Sequence, residues 1–286
     1  MTAYADRFWT SRDGLKLHYR DYAGREDRPP VICLPGLTRN ARDFETLAQR
    51  LAGQWRVLCP ENRGRGDSAY AKDSATYNPV QYVEDLGALF EEAGIERFVA
   101  IGTSLGGLLT MIMAMTTPDK LAAAVLNDIG PEINPEGLER IRGYVGQGRN
   151  FPTWMHAARA LEESQGSAFP DFTAEDWLAM AKRCMVVGSN GRIVFDYDMK
   201  IAEPFSQPGG EAGVDMWPGV DGLAGKPVLL LRGELSDLFT PETLAAMAAR
   251  LPGCETVTVP RVGHAPTLDE PESFAAIQRL LAKVAG

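Results

Sequence analysis

Three segments of this chain carry side chains that could form and break an acyl bond: a serine at 104, carboxylates around 237 and a histidine at 264. The serine lies in Gly102-Thr103-Ser104-Leu105-Gly106, directly after the apolar run Phe98-Val99-Ala100-Ile101 and before a second one, Leu108 to Met115. That context reads as strand, sharp turn, helix. A serine at such a turn is held in strained backbone angles, and a Cβ at either flank would collide with the neighbouring strand or helix, hence glycine on both sides. The hydroxyl is thereby pushed outward. It is a weak nucleophile until a base removes its proton. A pattern with three fixed positions also arises by chance, so the reading depends on the partners.

The base can be found by counting, because the chain has only 3 histidines. His18 falls in an early strand and reads as a surface or edge residue. His156 falls within a helical stretch, where a lone histidine is more often packed or solvated than catalytic. His264 follows the last strand in a Gly263-His264-Ala265-Pro266 loop that would reach the carboxyl edge of a sheet, and it is the candidate base.

With Leu34-Pro35-Gly36-Leu37, Arg232-Gly233-Glu234-Leu235-Ser236-Asp237 and Val262-Gly263-His264-Ala265-Pro266 beside the serine turn, the chain resembles the α/β-hydrolase superfamily from about Leu15 to its C-terminus. The order serine, acid, histidine is that superfamily's. The resemblance implies Ser104 as nucleophile, His264 as base and Asp237 as the acid that orients the imidazole. Glu234 is a nearby carboxylate, and Asp128 is a rival, since some relatives carry the acid after the preceding strand. It further implies an oxyanion hole from the backbone amides of Leu37 and Leu105. Pro35 departs from the superfamily's usual histidine at that place without altering the Leu37 amide.

Such an enzyme would cleave a small carboxylic ester or lactone through an acyl-enzyme. Hydrolysis of a carbon–carbon bond in a ring-fission product uses the same three residue types, and a ligand-sensing receptor could keep the same scaffold. Haloalkane dehalogenase and epoxide hydrolase chemistry is disfavoured because those relatives place an aspartate where Ser104 stands. No metal-ligand cluster, dinucleotide fingerprint or cofactor lysine is legible, so neither cofactor nor metal is expected. The glycine- and arginine-rich loop Glu61 to Ser68 lacks a Walker lysine-serine pair and resembles a structural turn whose arginines pair with local carboxylates.

The elements that must position these residues alternate. Leu15 to Arg20 alternates apolar and polar residues, as a half-exposed antiparallel strand does. Val31 to Leu34, Trp55 to Cys59, Phe98 to Ile101, Leu121 to Leu126, Val228 to Leu231 and Glu255 to Val259 are short apolar or β-branched runs suited to parallel strands covered on both faces. Helical patterns at Phe44 to Leu51, Pro79 to Ala93, Leu105 to Thr116, Pro241 to Leu251 and Pro271 to Val284 lie between them, three opening on proline. The alternation predicts an α/β fold, a doubly wound and mostly parallel sheet with its site at the strands' carboxyl ends.

Between Leu126 and Val228 the strand rhythm stops. Helical patterns there (Pro135 to Tyr144, Phe151 to Ser164, Thr173 to Arg183) and a Gly/Pro-rich stretch from Pro204 to Gly225 predict an inserted helical cap. The expected division is a core of residues 1–130 and 226–286 and a cap of 131–225. Cap aromatics, Trp154 and Trp217 first, are candidates to line an acyl pocket.

A net charge of −9 argues against nucleic acid or anionic membranes as partners, leaving a small-molecule substrate. The N-terminus lacks a basic start and apolar stretch, and the 4 cysteines lack metal spacing, so a cytoplasmic protein with buried free thiols is expected.

Overall fold

The computed structural model describes residues 4–205 and 215–285. In chain order the strands are β1 (Tyr4–Thr10), β2 (Lys16–Tyr22), β3 (Val31–Leu34), β4 (Val57–Pro60), β5 (Phe98–Thr103), β6 (Leu121–Asn127), β7 (Asn150–Phe151), β8 (Met185–Val187), β9 (Ile193–Phe195), β10 (Val228–Gly233) and β11 (Glu255–Val259). The helices are α1 (Glu45–Leu51), α2 (Pro79–Glu92), α3 (Leu105–Thr116), α4 (Pro135–Tyr144), α5 (Trp154–Gln165), α6 (Ala174–Cys184), α7 (Ala202–Phe205), α8 (Trp217–Asp221), α9 (Pro241–Arg250) and α10 (Pro271–Val284).

Eight strands form one sheet in the order β1-β2-β4-β3-β5-β6-β10-β11. From β4 to β11 all pairings are parallel, while β1 with β2 and β2 with β4 are antiparallel. The doubly wound sheet is as the residue pattern predicts, with β1 added. That strand was not expected because Tyr4 to Thr10 buries only Trp9. Trp9 pairs with Leu17 across the hairpin and donates its indole N–H to the Asp85 carbonyl at 2.9 Å.

Alternation within the strands splits the core. Ile32 and Leu34 face one layer with Leu86 and Leu89 of α2 and Leu109 of α3, whereas Val31 and Cys33 face the other with Leu47 of α1 and Ile277 of α10. A strand buried on both faces needs apolar residues at successive positions, which is why these runs read as continuous. Proline opens α2, α9 and α10, where its missing N–H has no intrahelical acceptor, and Asn78 and Thr240 cap α2 and α9 with their side chains.

The chain between β6 and β10 differs from the all-helical expectation. It carries α4 to α8 and also a three-stranded antiparallel sheet, β7-β9-β8. Met185-Val186-Val187 and Ile193-Val194-Phe195 flank a Gly188-Ser189-Asn190-Gly191 turn in which Gly191 has φ +74° and Gly188 bonds the Arg192 carbonyl at 2.7 Å. Two β-branched runs around Asn-Gly are a hairpin signal. Phe151, Leu161, Phe169, Trp177, Met180 and Ile193 belong to an apolar cluster of this segment's own. Ile141 of α4 and Val220 of α8 belong instead to the sheet's core. The Gly/Pro-rich stretch from Pro204 onward lies partly outside the described residues.

In the loop after β4, Arg63 is fully buried and binds Asp85 through two contacts of 2.8 and 2.6 Å, with a further pair to the half-exposed Asp13. The partners are distant in sequence rather than local. Removing Asp85 strands a buried guanidinium. Asp85→Ala is therefore expected to lower unfolding free energy by about 3 kcal/mol or more, and Asp13→Ala by about 1 kcal/mol or less because water screens that partner. Equilibrium urea unfolding measures both, and equal losses would refute the ranking.

Candidate active site

Ser104 sits between β5 and α3 with φ 52° and ψ −116°, a conformation that non-glycine residues rarely adopt. Its amide donates to the Asn127 carbonyl at 3.0 Å, which ties the turn to the end of β6. A Cβ on Gly102 would lie 2.3 Å from the Gly106 carbonyl oxygen, and one on Gly106 would lie 2.0 Å from that of Leu34. Neither position admits a side chain. The glycines let β5, α3 and β3 close around the serine.

The Ser104 Oγ lies 3.0 Å from Nε2 of His264, and Nδ1 of the same ring lies 2.7 Å from Oδ2 of Asp128. These contacts join residues from three strand ends into one hydrogen-bonded relay. His264 is almost buried and Asp128 is fully so. Asp128 has φ 56°, a left-handed conformation that aspartate tolerates, and its amide bonds the Leu231 carbonyl at 2.8 Å. Its carboxylate also accepts from the Gly233 amide at 2.8 Å and the Ser236 hydroxyl at 2.7 Å.

This corrects the expected partner of the imidazole. Asp237 does not bond His264; both its oxygens are taken by Arg140 of α4, one at 2.8 Å. Burial raises the Asp237 carboxyl, but the hydrogen bonds and charge of Arg140 outweigh it and hold the group below its ordinary range. Asp237 is thus a neutralised ion pair between the β10–α9 loop and α4. Glu234 also points elsewhere, accepting from the Arg261 amide at 2.7 Å.

The Leu37 and Leu105 residues both border the space in front of Ser104. Leu105 opens α3, so its amide has no intrahelical acceptor and lies at the positive end of the helix dipole. Leu37 is held from behind. Fully buried Arg65 donates Nε to the Leu37 carbonyl at 2.8 Å, and its Nη1 bonds the Arg63 carbonyl and the Tyr82 hydroxyl at 2.7 and 2.9 Å. Among the described residues Arg65 therefore pairs with no carboxylate, contrary to the expectation for this loop.

In front of the serine is a cavity of about 230 Å³. Its floor is Gly36, Leu37, Ser104, Leu108 and His264, and its roof comes from the inserted segment through Ile141, Phe151, Leu161, Phe169, Met180 and Phe195. Trp154 and Trp217 do not border it. Trp154 packs against the apolar cluster of the insertion, and Trp217 donates to Glu132 at 2.9 Å with the Arg250 guanidinium 4.3 Å from its ring. The large aromatics drew attention by size, but packing used them elsewhere.

Similarity to known proteins agrees with this architecture. A family model described as the alpha/beta hydrolase family matches residues 31–277. The chain belongs to the alpha/beta hydrolase family. A 3-hydroxybutyrate-oligomer hydrolase of Cupriavidus necator is 35% identical over 267 residues, covering 91% of this chain and 90% of the relative. An esterase of Mycobacterium tuberculosis is 28% identical, covering 88% and 82%. The crystal structure of an alpha/beta hydrolase from Novosphingobium aromaticivorans is 69% identical, with a TM-score of 0.96 over 99% of this chain and 100% of that one.

Within this hydrolase, three site residues escaped sequence reasoning. Arg65 and Ser236 act through backbone and carboxylate contacts that no motif announces. Asn127 could have been noticed beside Asp128 at a strand end; its amide bonds the Thr103 hydroxyl at 3.0 Å and the Pro266 carbonyl at 2.8 Å, tying the His264 loop to the serine turn.

The other histidines are apart from the site. His156 is exposed and bonds Thr153. His18 is buried, not at the surface, with its ring nitrogens on Glu61 and Asp6 at 2.9 and 3.0 Å. Burial opposes its protonation, but Glu61 and Asp6 outweigh that and raise its pKa. His18, Glu61 and Asp67 approach one another as metal ligands would. Glu61 already accepts from His18 and from the Ala41 and Asp67 amides, which accounts for the cluster as a brace of the loop after β4. The four cysteines are free thiols, and Cys184 borders the cavity beside Arg39. Among the described residues no helix is long and apolar enough to cross a membrane.

Proposed function

We propose that this protein is a serine hydrolase of small carboxylic esters that works through an acyl-enzyme, and that residues 131–225 serve as its cap over a core of 1–130 and 226–286. The observation that carries the reading is the Ser104–His264–Asp128 relay opening onto an apolar cavity.

In the first half-reaction the Ser104 oxygen attacks the ester carbonyl carbon while His264 Nε2 takes the hydroxyl proton. Asp128 holds the Nδ1–H tautomer and stabilises the imidazolium, aided by Ser236 and the Gly233 amide, which fix its carboxylate. Charge on the carbonyl oxygen is received by the amides of Leu37 and Leu105, a term worth on the order of 10² to 10³ in rate per donor. The imidazolium then protonates the leaving alcohol. Water, deprotonated by the same ring, releases the acid and restores the serine.

The cap's apolar side chains exclude water and favour a short acyl chain. The 3-hydroxybutyrate-oligomer hydrolase, an enzyme named for esters of a short hydroxy acid, supports the same class. A fluorophosphonate probe should label the protein once, at Ser104. Across 4-nitrophenyl esters of rising length, kcat/KM should climb by roughly fourfold per methylene and then fall when the cavity is full. Absence of both labelling and turnover in the purified protein would refute the reading and favour a ligand-sensing role.

A further inference from the structure

The cavity wall has a charge balance opposite to that of the molecule. The chain holds 38 acidic and 29 basic residues, yet the charged side chains at the wall, His264 aside, are Arg39, Arg149, Arg183 and one carboxylate, Asp43. Two of the three guanidiniums are already matched. Arg39 binds both oxygens of Asp43, and Arg183 binds Asp269 at 2.9 Å.

Arg149 has no carboxylate partner among the described residues. Its guanidinium carbon lies 5.4 Å from the centre of the Phe151 ring, and both residues border the cavity. Asn150 and Phe151 pair with Val194 and Ile193 in the small sheet, so the arginine stands on an anchored strand end rather than a free loop. Stacking on an aromatic face restricts a guanidinium while leaving its N–H edge for an acceptor, and the planar fork suits a carboxylate. An exposed cation left unmatched at the edge of a pocket whose other guanidiniums are paired selects for a ligand of the opposite sign.

We infer that Arg149 binds a carboxylate at one end of the substrate, so that the site prefers esters with an anionic terminus, as in a linear hydroxy-acid oligomer. The inference rests on the ester-hydrolase reading above. A charge-assisted hydrogen bond of this kind corresponds to about a tenfold preference.

The test compares the linear dimer of 3-hydroxybutyrate, which ends in a carboxylate, with the same dimer capped as a carboxamide. The wild type should favour the free acid by about tenfold in kcat/KM, mainly through KM, and the preference should shrink in about 0.5 M salt. In Arg149→Gln the ratio should collapse towards one, and Arg149→Lys should restore part of it. Arg159→Gln removes an exposed guanidinium of α5 that is outside the cavity wall, and it should keep the ratio. A wild-type ratio near one, or a ratio that Arg149→Gln leaves intact, overturns the inference while turnover of 4-nitrophenyl esters preserves the ester reading. Failure to cleave any of these esters overturns both.

Discussion

Ser104→Ala is expected to lower kcat by on the order of 10⁵ to 10⁶ while the protein remains folded. The size follows from what is removed: without the hydroxyl there is no acyl-enzyme, and the residual rate rests on donors and binding alone. The fold should persist because the substitution deletes one oxygen facing the cavity and leaves the Gly102 and Gly106 contacts intact. Alanine inherits the same unfavourable φ of 52°, so the turn is neither relieved nor further strained. Single-turnover kinetics with a chromogenic ester, beside thermal unfolding, measure both halves. Residual activity above about one per cent would move the nucleophile elsewhere.

The second large effect separates the two aspartates. Asp128→Asn should cost about 10⁴ in kcat, because an amide keeps the shape yet cannot stabilise the imidazolium and permits the wrong tautomer. Here the loss is compounded by the donors around the group. The Gly233 amide, Ser236 hydroxyl and His264 ring converge on Asp128, so an NH₂ in place of one oxygen must face a donor. Asp237→Asn should cost less than about tenfold, since it loosens the Arg140 pair in a half-exposed setting. Parallel kcat measurements on the two variants decide the matter. The reverse order would return the acid to position 237.

Much of this site was legible in the residues. The serine turn is a local device, in which a strand, a strained residue, two glycines and a helix must follow within a few positions, so the pentapeptide carries its own geometry. His264 was reachable because a chain with three histidines places only one of them after the last strand. The parallel strands were visible for a similar reason, as burial on both faces demands successive apolar residues. The β7-β9-β8 sheet was missed although its Asn-Gly hairpin stands in the sequence, because three helical patterns around it set the expectation for the whole segment.

Which carboxylate meets His264, and what lines the cavity, is visible only in the tertiary structure. Asp128 and Asp237 both follow strands that are neighbours in the sheet, and by spacing either could serve His264. Contacts across the fold distinguish them: Arg140 captures Asp237 across 97 residues, and His264 meets Asp128 across 136. Likewise Trp154 and Trp217 had the size for a pocket wall, but smaller residues of the insertion took that place. Backbone strain and hydrophobic period act within a few residues and can be read along the chain. Which of two carboxylates an arginine captures, and which aromatic faces a cavity, depends on charges and volumes that only folding brings together.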